Sequence, residues 1–226
     1  MLEYIKKSLD EQPAIKKDLY LHSVPVQALH PFTNNIDFAS VIAKVEQLIP
    51  QRLLNNVDVI YVANLKNFNR KDRNFNAMYK DGAIYISPDQ DDAKDLLDDI
   101  IHEIAHSFER EYQDMIYGDG NLEREFLAKR RSLYYLIDNK NINILNYNNA
   151  EYNAKFDDHL YHDVGYDKLR TISSGLFYSP YAITSLREYW ANGFENYLLG
   201  DRERLKDLCP VLCSKIFYVL EDKEQN

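Results

Sequence analysis

The stretch from Asp91 to Tyr112, DDAKDLLDDIIHEIAHSFEREY, constrains the fold more than any other part of the chain. It contains no glycine or proline and is long enough for about six helical turns. At about 100° per residue, Leu97, Ile101, Ile104 and Phe108 share one face, which has to bury against the rest of the chain. Asp95, Asp99 and Glu109 fall on the opposite side, together with His102 and His106. Asp91, Asp92 and Asp95 crowd the first turns, where carboxylates suit the positive end of the helix dipole. They lack the spaced oxygen ligands and turn glycine of a calcium loop.

His102 and His106 are four residues apart, so their rings stand one above the other on the same helix face. Both imidazoles can reach one zinc ion, with bonds of about 2 Å. Glu103 sits beside that ion, placed to take a proton from a water on the metal. A structural histidine pair belongs within the apolar stripe, whereas these two look away from it. One zinc ion per chain is therefore expected, held by His102, His106 and a third ligand, with one position left open. Glu109 shares the histidine face but lies about 10 Å along the axis from His102, too far to converge comfortably. The best third ligand is Glu188, in the amphipathic run SPYAITSLREYWANGFENYLLG, where Leu186, Tyr189, Trp190, Phe194 and Tyr197 are available for a core. Glu195, Glu109 and Glu123 are its rivals.

The remaining elements follow from periodicity and punctuation. Residues 1–35, with Pro13, Pro25 and Pro31, suggest a short helix and an extended arm packed on the domain. A helix is expected over 37–49 with Asp37 as its cap, and a strand over the β-branched run 57–63. Residues 76–87 read as a hairpin around Asp81-Gly82, a pair suited to two positive φ angles. Further helices are expected at about 121–138, 157–171, 184–199 (closed by Gly200) and 203–221. The asparagine-rich stretch 139–155 reads as an insertion or mobile loop. Strands followed by helices predict an α+β fold with a small, mostly antiparallel sheet, an active-site helix and a helical C-terminal half. Beyond the arm, 36–226 would form one domain with an insertion at about 121–172.

The motif residues together resemble those of a known group. Two histidines with a distal glutamate define the gluzincin peptidases, and this chain looks like the catalytic domain of the anthrax lethal factor and Pro-Pro endopeptidase family. That family carries its glutamate in an E-x-x-A-x-x-F helix, matched here by Glu188, Ala191 and Phe194. It also places a tyrosine seven residues before the glutamate, here Tyr181, with Tyr178 as the alternative. The resemblance implies a zincin-like fold and zinc-dependent peptide hydrolysis, with Glu103 and Tyr181 catalytic and Tyr181 donating to the oxyanion. It also implies that a peptide pairs with the strand edge bordering the cleft. Asn192 stands where many gluzincins have an acidic residue, leaving Asp99, Glu195 or a backbone carbonyl to orient the histidines.

The other features bound the partners. A net charge of −9 without a long basic run argues against nucleic acid and anionic membranes. No segment approaches a membrane span and the N-terminus lacks an apolar signal core, so a cytoplasmic location is expected. Cys209 and Cys213 read as small half-buried residues, and His159 and His162 as surface residues. The expected partner is a peptide or protein substrate. The competing readings are a non-catalytic zinc-containing domain that binds a peptide or partner, and a regulatory peptidase specific for one protein. The sequence sets no oligomeric state.

Overall fold

The computed structural model describes residues 19–64, 76–137 and 143–222. The expected N-terminal helix and the first four residues of the asparagine-rich stretch, 139–142, lie outside them. The chain divides into two compact units, Met1–Phe108 and Glu109–Asn226. The described elements are α+β: strands in the first unit, helices in both.

In the first unit, β1 (Leu19–Leu21) and β2 (Val24–Ala28) precede helix α1 (Phe38–Leu48), a 3₁₀ turn (Gln51–Leu54) and β3 (Val59–Val62). The hairpin β4 (Ala77–Lys80) and β5 (Ala83–Ile86) follows, and then helix α2 (Ala93–Phe108). The strand order is β1-β2-β3-β5-β4. Two pairings are antiparallel (β1 with β2, β4 with β5) and two are parallel (β2 with β3, β3 with β5). The sheet is therefore mixed rather than mostly antiparallel. Residues 19–28, expected to belong to an arm, instead supply two of its strands. Pro25 obscured them, because a proline cannot donate to a ladder. Pairing of β2 with β3 begins at Val26, one residue after that proline.

Local chemistry explains several boundaries. Asp37 caps α1, its carboxylate accepting the Ser40 N–H at 3.2 Å. Asp81 and Gly82 have φ of 50° and 81°, the two positive values this tight turn requires. Asp92 accepts the N–H groups of Lys94 (2.7 Å) and Asp95 (3.0 Å) at the start of α2. Those two bonds hold its carboxyl below the usual value. The buried side of α2 comprises Leu96, Ile100, Ile101, Ile104, Ala105, Ser107 and Phe108. That face is rotated slightly from the expected stripe, since Leu96 is buried where Leu97 is only half-buried. The helix also ends at Phe108, short of Tyr112.

The second unit contains α3 (Gln113–Tyr117), α4 (Asn121–Leu136), α5 (Ile144–Tyr147), α6 (Ala154–Asp158), a π-helix (His159–Gly165) and α7 (Tyr166–Ser173). A 3₁₀ turn (Tyr181–Ile183) leads into α8 (Leu186–Leu199), α9 (Arg202–Leu208) and α10 (Pro210–Glu221). The helix expected over 203–221 is two helices, split where Pro210 takes the first position of α10. Glu125 of α4 accepts the Val211 and Leu212 N–H groups at 2.9 and 3.2 Å, satisfying two open donors at that start. It also accepts the Tyr189 hydroxyl at 2.8 Å, and in the core the Tyr189 ring lies tilted against Phe126 and edge-on to Phe177.

The described part of the asparagine-rich stretch is ordered by its asparagines. Asn143 caps α5 and Asn153 caps α6 through side-chain oxygens. Arg130, buried in α4, donates to the carbonyls of Asn146 and Asn149 and lies 4.0 Å from the centre of the Phe156 ring. Gly200 ends α8 with φ at −102°, not in the left-handed conformation. A Cβ there would come within 2.6 Å of the Tyr178 hydroxyl, so lack of space explains this glycine.

Candidate metal centre

His102 and His106 lie in the third and fourth turns of α2, both half-buried. Their ring centroids are 5.0 Å apart. Glu188 is the third residue of α8, whose first turn is fixed by Ser185, its hydroxyl accepting the Glu188 N–H at 3.2 Å. One ligand atom from each of His102, His106 and Glu188 lies within 4.8 Å of the other two, so this group could hold a metal ion. Ligands about 2.0–2.1 Å from a tetrahedral ion stand roughly 3.3 Å from one another. The widest separation would have to close by up to about 1.5 Å for such an ion to be bound. Two imidazoles and one carboxylate also match the donor types that zinc takes.

Glu103 is half-buried, and its Oε2 accepts the backbone N–H of Tyr79 at 2.6 Å. Tyr79 belongs to β4, which ends the sheet order and, among the described residues, pairs only with β5. The two-residue turn makes Lys80 and Ala83 the hydrogen-bonded pair, so the main chain of Tyr79 points away from β5. Glu103 thus lies against the outer edge of β4. The buried Gln90 side chain supports this corner, donating to the carbonyls of Asn76 and Ser87 and to Asp99.

Tyr181 begins the 3₁₀ turn before α8 and is 38% exposed. Its carbonyl accepts from the Thr184 N–H and hydroxyl, at 3.1 and 2.9 Å, which fixes the turn. Tyr178, the alternative, uses its hydroxyl to accept the Asp201 N–H at 3.0 Å. That places it at the far end of α8.

The rival ligands have other partners or positions. Glu109 lies beyond the end of α2 and is buried at 5% exposure, so it is not on a polar helix face as expected. Its oxygens accept the Tyr117 hydroxyl at 2.6 Å and Arg187 Nε at 2.8 Å. Burial pushes the Tyr117 phenol far up, reinforced by the Glu109 charge, so it stays a donor. Glu123 is exposed, and Glu195 accepts weakly from Asn192 and Asn196 at 3.4 Å. Asn192 is buried and accepts the Ser179 hydroxyl at 3.0 Å. Of the other histidines, His162 is exposed as expected, but His159 is buried at 4%. Its burial follows from Tyr147, which takes its second ring nitrogen at 3.3 Å.

The Tyr79 amide and the Arg187–Glu109–Tyr117 group carried no sequence signal. The first is main chain, and the second joins residues 78 positions apart. No family model, curated protein or solved structure was found to match the chain.

Proposed function

We propose that the protein is a zinc-dependent endopeptidase of gluzincin type, on a zincin-like fold, with one zinc ion held by His102, His106 and Glu188. The observation that carries this reading is the convergence of those three side chains to within 4.8 Å. Two of them frame a glutamate of the spacing that peptide hydrolysis uses. A zinc ion in this donor set would polarise the scissile carbonyl and make a water acidic enough to attack it. Glu103 takes the proton of the attacking water and passes it to the leaving amine. The Tyr79 amide aligns its carboxylate for that transfer. Tyr181, 38% exposed, donates a hydrogen bond to the oxyanion.

The substrate class follows from the neighbourhood of Glu103. A peptide laid along the outer edge of β4 would pair with main-chain groups there and pass directly by the base. This favours an extended peptide or protein segment over a compact small molecule.

The test is metal content and peptide cleavage on the same samples. Wild-type protein should hold about one zinc per chain and cleave members of a proteome-derived peptide library read by mass spectrometry. Glu103→Gln should keep its zinc and lose at least about a hundredfold in rate. Full zinc occupancy without any cleavage, or a Glu103→Gln protein that cleaves at the wild-type rate, would overturn the assignment.

A further inference from the structure

We infer that Glu109 and Arg187 form a positioning clamp for the metal centre. The inference rests on the metal-binding reading of His102, His106 and Glu188. Its starting point is that Glu109 is buried yet has two strong donors, Tyr117 on one oxygen and Arg187 on the other. A buried carboxylate without such partners would be strongly destabilising, so the three side chains behave as one unit. Tyr117 belongs to the short α3 that follows directly, and it holds Glu109 from the side of its own chain segment.

The place of the pair in the chain gives it a role beyond stability. Glu109 comes three residues after His106, and Arg187 comes immediately before Glu188. The ion pair therefore joins the backbone just beyond one ligand to the backbone just before another, across 78 residues of sequence. Arg187 is 61% exposed at its side chain, so apolar packing does not explain its position. Its Nε grip on Glu109, with the Ser185 hydroxyl on the Glu188 N–H, fixes both ends of the first turn of α8.

Glu188 needs such fixing. Ser185-Leu186-Arg187-Glu188 has the S-x-x-E spacing of a capping box, in which the glutamate folds back onto the start of its own helix. A ligand with that second resting place binds metal more weakly unless its turn is held in the productive orientation. The clamp supplies that hold, and Arg187 and Glu109 act through Glu188 without touching metal or substrate.

The experiment measures zinc affinity by competition with a chromogenic chelator. It compares full-length wild-type protein with Arg187→Ala, Glu109→Gln, their double variant and Glu188→Ala, well below their melting temperatures. Zinc-free melting curves are recorded alongside. Arg187→Ala and Glu109→Gln should each weaken zinc binding roughly 10- to 100-fold, with the double variant no weaker than the poorer single. A purely structural pair would shift the zinc-free melting temperature and leave the affinity of the folded protein unchanged. Arg187→Ala alters an exposed side chain, so it decides the matter even if Glu109→Gln fails to fold. Wild-type affinity in a folded Arg187→Ala, with affinity lost in Glu188→Ala, overturns the clamp and leaves the metal centre standing. Equal zinc affinity in wild type and Glu188→Ala removes the metal centre, and the clamp with it.

Discussion

His102 and His106 stand four residues apart on α2, and His159 and His162 stand three apart in the π-helix that follows α6. In sequence the two pairs look alike: each has acidic neighbours and lies in a helical pattern. In the structure they have opposite fates. The second pair is spent locally, His159 on Asp163 and His162 on Asp158, each at 2.8 Å. The first pair is joined by a carboxylate from far along the chain. An aspartate one turn away does not separate the cases, because Asp98 stands in that relation to His102. What separates them is the arrival of Glu188. Two histidines become a candidate metal centre when the fold delivers a third donor to them, and otherwise serve as hydrogen-bonding groups.

The strongest way to break this contrast is to remove each histidine in turn and measure bound zinc. His102→Ala or His106→Ala should drop metal from about one zinc per chain to less than about a tenth. His159→Ala and His162→Ala should leave it unchanged. Elemental analysis of desalted protein reads the difference directly. Zinc retained in His106→Ala, or lost in His162→Ala, would reverse the roles assigned to the two pairs.

Within the second pair the contrast should continue as stability. His159 is buried, with one ring nitrogen on Asp163 and the other on the Tyr147 hydroxyl. His159→Ala opens a cavity beside Tyr147 and strips that buried hydroxyl of a partner. The expected loss is about 2–4 kcal/mol. Urea unfolding should show it as a lower midpoint with an unchanged slope. A loss below about 0.5 kcal/mol would mean that the site collapses around the change and that the hydrogen bonds contribute little.

How much of this was legible in the sequence follows the range of the interactions. The hairpin was, because Asp81 and Gly82 fix their own turn. So were the cap at Asp37 and the spacing of His102 and His106 on one helix face, both set within four residues, whereas α8 begins at Leu186 rather than at about 184. Glu188 could be named, since it lies in an amphipathic helix with a recurring spacing, but its approach to the histidines could not be read from spacing. Strands β1 and β2 are harder to read because each is short, Pro25 interrupts the pattern, and one of the two neighbours of β2 is β3, whose pairing begins at Ile60. The burial of His159 depends on Tyr147, twelve residues away, and that of Glu109 on Arg187. The environments of His159 and Glu109 are set by segments outside their own helical turn, whereas the break before Pro210 is a local effect of that proline.

The smallest expected effect sharpens the comparison from the other side. His162 and Asp158 have the same 2.8 Å geometry as His159 and Asp163, yet their side chains are 58% and 70% exposed. Water competes for both groups, and salt screens whatever attraction remains. His162→Ala should therefore change stability by no more than about 0.5 kcal/mol. A double-mutant cycle with Asp158→Ala should give a coupling of about the same size or less, shrinking further in 1 M salt. The same bond length would then correspond to a large loss at His159 and almost none at His162, with burial as the variable. A coupling above about 1 kcal/mol at His162 would show that the π-helix itself depends on its exposed histidine. The two members of the pair would then have to be treated as one structural element.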